Sequence, residues 1–138
     1  DGPHLYMQML KENNPRAAEV LKYLEWNGGG RYYSGGGIAD IDFQGNVHPD
    51  QFSWHLTLGN VRERPFSEIW RDTSNPLLAG LRARRELIHG RCAGCGFYDV
   101  CNGNLRVRAE AATGDFWAPD PACYLTDDEI RETDLVEA

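Results

Sequence analysis

Four cysteines, Cys92, Cys95, Cys101 and Cys123, are the residues best equipped for chemistry, and they stand in the order C-x2-C-x5-C-x21-C between Arg91 and Tyr124. Three of the thiols share a stretch with Gly90, Gly94, Gly96 and Gly103, so the chain there bends freely enough to turn them toward one centre. The fourth has to return from a distance. Four thiolates satisfy a tetrahedral zinc ion or a [4Fe-4S] cluster equally well in number. Spacing leans toward the cluster. Structural zinc usually sits between two tight C-x2-4-C pairs, whereas here only the first pair is tight, and the x5 step suits a larger centre whose irons are reached one by one. Two disulfides are the plainer alternative, since four cysteines admit three pairings.

The elements that must carry these residues follow from the local pattern. Asn14-Pro15 reads as an N-cap with proline at the first helical position, and Ala17, Val20, Leu21 and Leu24 then recur on one face, before the glycines from Gly28. Leu5, Met7 and Leu10 suggest a shorter helical piece ahead of it. Residues 28–37 hold two glycine triplets and read as a loop; a helix precedes it and a strand follows, the wrong order for a phosphate cradle. Ile38 to Phe43 alternates, and with Val47 across the turn Gln44-Gly45-Asn46 it makes a β-hairpin that Pro49 ends. Gly59-Asn60 reads as another turn. Phe66, Ile69 and Trp70 mark a short helix after Pro65. Asn75-Pro76 repeats the cap signal for a helix carrying Leu77, Leu78 and Leu81, with Ile88 beyond, and Gly90 stops it just before Cys92. A helix from Leu105 to Ala112 ends at Gly114. Asp115 to Pro121 is a turn-rich return whose Phe116 and Trp117 would cover Cys123, and Thr126-x-x-Glu129 is a capping box. The expected fold is α+β and loop-rich: a small hairpin with short helices around the four-cysteine centre.

Composition narrows the function classes. The chain has 138 residues, 41% apolar and 25% charged, which is one domain or a little more with a modest core. A net charge of -7 argues against nucleic acid as a partner, and the Arg82, Arg84, Arg85 run reads as a solvated helix face. No apolar run approaches the roughly 20 residues of a membrane helix and no signal peptide opens the chain, so a cytoplasmic protein without a membrane partner is expected. Thiols kept reduced there weigh against disulfides. The start Asp1-Gly2-Pro3 suggests a portion of something longer.

The order GGGIADIDFQGNVHP, LGNV, PFSEIW, C-x2-C-x5-C and a distant cysteine resembles the SPASM or twitch C-terminal extension of radical SAM enzymes, over roughly Gly35 to Tyr124. Full SPASM domains carry cysteines for two auxiliary clusters. In this chain no cysteine precedes the hairpin, and two further cysteine places hold Asp50 and Leu105. The set of the second auxiliary cluster is complete in Cys92, Cys95, Cys101 and Cys123. GNVHPDQF, LGNVRERPFSEIW, CNGNLRVRAEAATGD and DPACYLTDDEI are similar to the branch of that family that works on haem d1 and related haem precursors.

The resemblance implies an auxiliary [4Fe-4S] cluster domain, with residues 1–34 a helical linker from a radical SAM core, 35–126 the cluster domain, and 127–138 a C-terminal helix and tail. It also implies a tetrapyrrole substrate that loses propionate side chains. The core of the same polypeptide would hold S-adenosylmethionine and a second [4Fe-4S] cluster on a C-x3-C-x2-C motif, which is absent from these residues. This stretch alone is therefore not expected to be active. A cluster with all four corners on cysteine would pass electrons rather than bind substrate, or would staple a small domain; the glycines Gly94, Gly96 and Gly103 would let backbone amides approach its sulfides. Asp99, inside the x5 spacer, reads as a solvated loop residue rather than an extra ligand. Arg106 and Arg108 would point to different faces of their helix; one could meet a propionate carboxylate, and a surface ion pair is the plainer reading. Tyr32, Tyr33, His48 and His55 could line a pocket for a flat substrate. The alternative class is a four-cysteine zinc module that binds a protein partner.

Overall fold

In the computed structural model, residues 2–27 and 33–131 are described. They form short helices and one three-stranded antiparallel sheet, an α+β arrangement. The chain divides into two compact units: Asp1–Tyr32 with Ile88–Ala138, and Tyr33–Leu87.

In the first unit, α1 (Gly2–Lys11) and α2 (Ala17–Asn27) pack together. Asn14 turns the chain between them, its Oδ1 accepting from the Arg16 N–H at 2.9 Å, so the helix starts two residues later than Asn14-Pro15 suggests. Tyr6, Met7 and Ala17 are buried against Phe97, Leu125 and Ile130, with Val20, Leu21 and Leu24 packed on that core. Tyr6 meets the Phe97 ring edge-on at 6.4 Å. Two short helices follow in this unit, α6 (Tyr98–Cys101) and α7 (Arg106–Thr113), and Gly114 closes α7 in the left-handed conformation expected of it. The Thr126 capping box is made, with Glu129 Oε2 accepting from the Thr126 N–H at 2.8 Å and Thr126 Oγ1 from the Glu129 N–H at 3.3 Å. It opens a 3-10 turn over Glu129–Arg131, and the tail from residue 132 lies outside the described residues.

In the second unit, β1 (Asp40–Ile41) pairs with β2 (Asn46–His48), Ile41 opposite Val47, as the alternation predicts. Asp42 folds the turn by accepting from the N–H groups of Gln44 and Asn46 at 2.8 and 2.9 Å and from Asn46 Nδ2 at 2.9 Å. Gly59-Asn60, expected as a turn, is instead a third strand, β3, on the far side of β2. The reason is local: Asn60 Nδ2 donates to Asn46 Oδ1 at 3.0 Å, and Gly59, having no side chain, lets the backbone lie against Ile69. Val47, Leu58, Ile69 and Leu78 form the core of the unit, Ile69 from α3 (Phe66–Arg71) and Leu78 from α4 (Pro76–Arg82). Asn75 caps α4 through the N–H groups of Leu77 and Leu78, as its sequence signal requires.

Two expectations fail in this unit. Arg84, on α5 (Arg84–Leu87), is not on a solvated face: it is buried over the Tyr33 ring at 4.4 Å and donates to Ser34 O at 2.8 Å. The Tyr33 and His48 side chains serve packing rather than an open pocket. His48 is buried, its Nδ1 2.7 Å from Leu56 O and its Nε2 3.1 Å from Asp42 Oδ2, while His55 is exposed and Tyr32 lies outside the described residues.

Candidate metal centre

Cys92, Cys95, Cys101 and Cys123 all line one cavity of the first unit, together with Phe97, Tyr98, Gly103, Asn104, Asp120 and Leu125. All four are free thiols, each half-buried. Cys92 ends a 3-10 turn over Gly90–Cys92, and Cys95 follows in a tight turn whose N–H reaches Cys92 O at 3.4 Å. Cys101 comes from the last position of α6, a helical turn inside the x5 spacer that the sequence pattern does not reveal. Asp99 on that turn is exposed and does not line the cavity. After Cys101 the backbone runs through Asn102, Gly103 and Asn104 with φ of 56°, 71° and 55°. Asparagine and glycine are the residues that accept the left-handed region, and the run turns Gly103 into the cavity wall.

The cysteine loop is tied to the returning chain at several points. Gly96 N–H donates to Ile130 O at 2.8 Å, and Arg91 reaches Leu125 O while its Nε meets Asp127 at 3.1 Å. Gly96 thus holds the C-terminal segment rather than offering its amide to a sulfide. Cys123 is set by Asp120, whose carbonyl accepts from the Cys123 N–H at 3.1 Å and whose Oδ1 accepts from the Ala122 N–H at 2.9 Å. Arg108 forks the Asp120 carboxylate from outside, with Nε to Oδ1 at 2.7 Å and its second nitrogen on Oδ2. The ion pair foreseen for Arg108 exists, but its carboxylate is buried. Arg106 is no surface residue: it is 1% exposed and donates to the carbonyls of Gly103, Phe116 and Ala118. Phe116 and Trp117 meet edge to face, ring centres 4.9 Å apart, and do not line the cavity, whose apolar cover comes from Phe97, Tyr98 and Leu125 instead.

The thiols share one electrostatic environment. Burial pushes Cys101 up to about 11, and the neighbouring Cys92, Cys95, Cys123 and Asp120 add to the effect. Burial also raises Cys95, against the backbone N–H of Phe97 that favours its thiolate; Cys92 and Cys123 raise it further and Arg91 lowers it. Thiols so placed hold their protons unless a cation replaces them, which is what a metal does on binding. Among the described residues no group of three His, Cys, Asp or Glu side chains converges to hold a single ion. Four sulfurs set around one space, with the Phe97 N–H directed at one of them, are a donor set that suits a thiolate-ligated metal centre.

Asp120 at the rim of the cavity was not singled out in the sequence, and Arg106, read there as a propionate contact or a surface ion pair, is buried instead. D-P-A-C, a turn signal directly before the last thiol, was the available clue for Asp120; burial of Arg106 leaves none.

Comparison with known proteins bears on the same residues. Residues 33–96 match SPASM, an iron-sulfur cluster-binding domain. The chain is 59% identical over 133 residues to Fe-coproporphyrin III synthase of Methanosarcina barkeri, covering 94% of this chain and 33% of that protein. It is 48% identical over 123 residues to pre-heme d1 synthase of Dinoroseobacter shibae, covering 88% and 30%, and 39% identical over 89 residues to an AdoMet-dependent heme synthase of Methanosarcina barkeri, covering 64% and 24%. The chain thus spans at most about a third of the length of these relatives. No solved structure matches it. No helix among the described residues is long and apolar enough to cross a membrane.

Proposed function

We propose, from the match of residues 33–96 to SPASM, an iron-sulfur cluster-binding domain, that Cys92, Cys95, Cys101 and Cys123 together hold one [4Fe-4S] cluster as the auxiliary centre of a radical SAM enzyme acting on a tetrapyrrole. The observation that carries this reading is that all four thiols wall a single cavity. It matters most for Cys101 and Cys123, which lie beyond the matched residues. The substrate class is drawn from the names of the relatives, each a synthase of a haem or a haem precursor. Chemistry at the propionate side chains of such a ring, with S-adenosylmethionine and a second [4Fe-4S] cluster held by another part of the polypeptide, completes the proposal, in the reducing cytoplasm that four free thiols suit.

When bound, the cluster supplies a site that takes up or gives back one electron. The chain's own residues set the conditions for that. Phe97, Tyr98 and Leu125 keep water from the sulfurs; the Phe97 N–H favours the Cys95 thiolate; Asp120 fixes the turn that presents Cys123. With four thiols available for four irons, ligation is complete without substrate, which favours electron exchange over substrate binding.

Anaerobic purification followed by iron, sulfide and zinc analysis tests the assignment. Roughly four irons with matching sulfide per chain are expected, as a cubane on four cysteines requires, with brown colour lost in each single Cys→Ser variant. One zinc without sulfide would instead identify the protein-binding zinc module.

A further inference from the structure

Arg106 is a buried cation to which no carboxylate of the described residues is hydrogen-bonded; Asp120 acts on it through space only. Its two terminal nitrogens donate to three neutral carbonyls, those of Gly103, Phe116 and Ala118, and its Nε is buried without an acceptor among the described residues. Neutral donors would serve three carbonyls at far less desolvation cost than a guanidinium. The carboxylate nearest in the site, Asp120, is already forked by Arg108. The guanidinium stands directly behind the cavity wall: a Cβ on Gly103 would lie 3.4 Å from one of its terminal nitrogens and 3.5 Å from its central carbon, and Gly103 lines the space between the thiols. A buried charge without a bonded counter-ion, beside a site for an anionic group, is accounted for when that group is present.

We infer that Arg106 is a positioning charge for the centre, holding the reduction potential of a cluster bound by the four cysteines above the value it would have beside a neutral side chain. The inference rests on the cluster assignment made above. An iron-sulfur core on four thiolates is net negative and becomes more so on reduction, so a fixed cation in a low-dielectric surround stabilises the reduced form more than the oxidised one. The same three hydrogen bonds fix where that charge sits, because they join the Cys101–Arg106 turn to the return segment that leads to Cys123.

The test is the cluster's midpoint potential, read by electron paramagnetic resonance during an anaerobic redox titration of the reconstituted chain, in the parent, Arg106→Gln and Arg106→Lys. Arg106→Gln keeps donors for the carbonyls and removes the charge; Arg106→Lys keeps the charge and removes the fork. A lower potential in Arg106→Gln, with Arg106→Lys close to the parent, is the expected result. Equal potentials in all three, or equal shifts in both variants, overturn the inference. Failure of both variants to fold, one of them still charged, also overturns it, leaving Arg106 as a brace alone. A parent chain that takes up no iron and sulfide would sink the cluster assignment itself, a different outcome from any of these.

Discussion

Between Cys101 and Leu105 the backbone passes through three consecutive left-handed residues, and at the middle one, Gly103, a side chain has no room: a Cβ there would strike Ile88 Cδ1. Gly103→Ala is therefore expected to destabilise the first unit by more than about 1 kcal/mol, since the residue opposes both φ and packing, and to lower cluster occupancy because Cys101 sits two residues away. Urea unfolding and iron content measure the two effects; a variant with the parent's midpoint would mean that the turn rearranges freely. At this scale the sequence is informative about the ligands and poor about what supports them. Cysteine type and spacing bring the four thiols together on paper because few other roles suit them. The burial of Arg106 and Asp120 was invisible for the opposite reason: arginine and aspartate are ordinary surface residues, and only the folded backbone shows where they sit.

Among the elements, the β1–β2 hairpin is the one whose chemistry depends most on a single carboxylate. Burial alone would raise the pKa of Asp42, but the hydrogen bonds from Asn46, His48 and Gln44 outweigh it and hold the group well below the usual carboxylate range. A carboxylate depressed in this way adds stability above its unfolded value, near 3.9, and loses it as pH falls through the lower folded value. Unfolding of the second unit is thus expected to grow easier below about pH 4, with a shallower acid limb in Asp42→Asn, monitored by near-ultraviolet circular dichroism of Trp54, which stacks on His48 at 5.9 Å. Parallel acid limbs in parent and variant would remove Asp42 from that role. The hairpin, the Asn75 cap and the Gly114 stop were legible because each rests on a local rule. Strand β3 and the helical turn before Cys101 were not, because Gly59-Asn60 and Tyr98–Cys101 owe their state to Ile69 and to the packed thiol loop rather than to their own propensities.

For the whole molecule, the two hydrophobic cores are separate: Tyr6, Met7, Ala17, Phe97, Leu125 and Ile130 in one unit, Val47, Leu58, Ile69 and Leu78 in the other. Cys95 and Cys123 pack against the first core only. Removing the metal with a chelator and oxidant should then free amide exchange at Phe97 and Ile130 while Val47 and Ile69 stay protected, since a metal that ties a small core contributes to its folding directly. Equal loss of protection in both sets would contradict this. The first unit is also discontinuous in sequence, with its opening helices and its cysteine loop on either side of residues 33–87. On the ribosome this becomes a matter of timing. Tyr6 and Met7 are made long before Leu125 and Ile130, and at roughly 5–20 residues per second their apolar faces wait on the order of ten seconds for partners. Residues 33–87 have no such wait, because every member of their core is already in hand when Leu78 emerges. The last thiol arrives late as well, so insertion of a four-cysteine centre cannot finish until Cys123 has cleared the exit, and a nascent chain stalled before that point would carry three thiols open to oxidation.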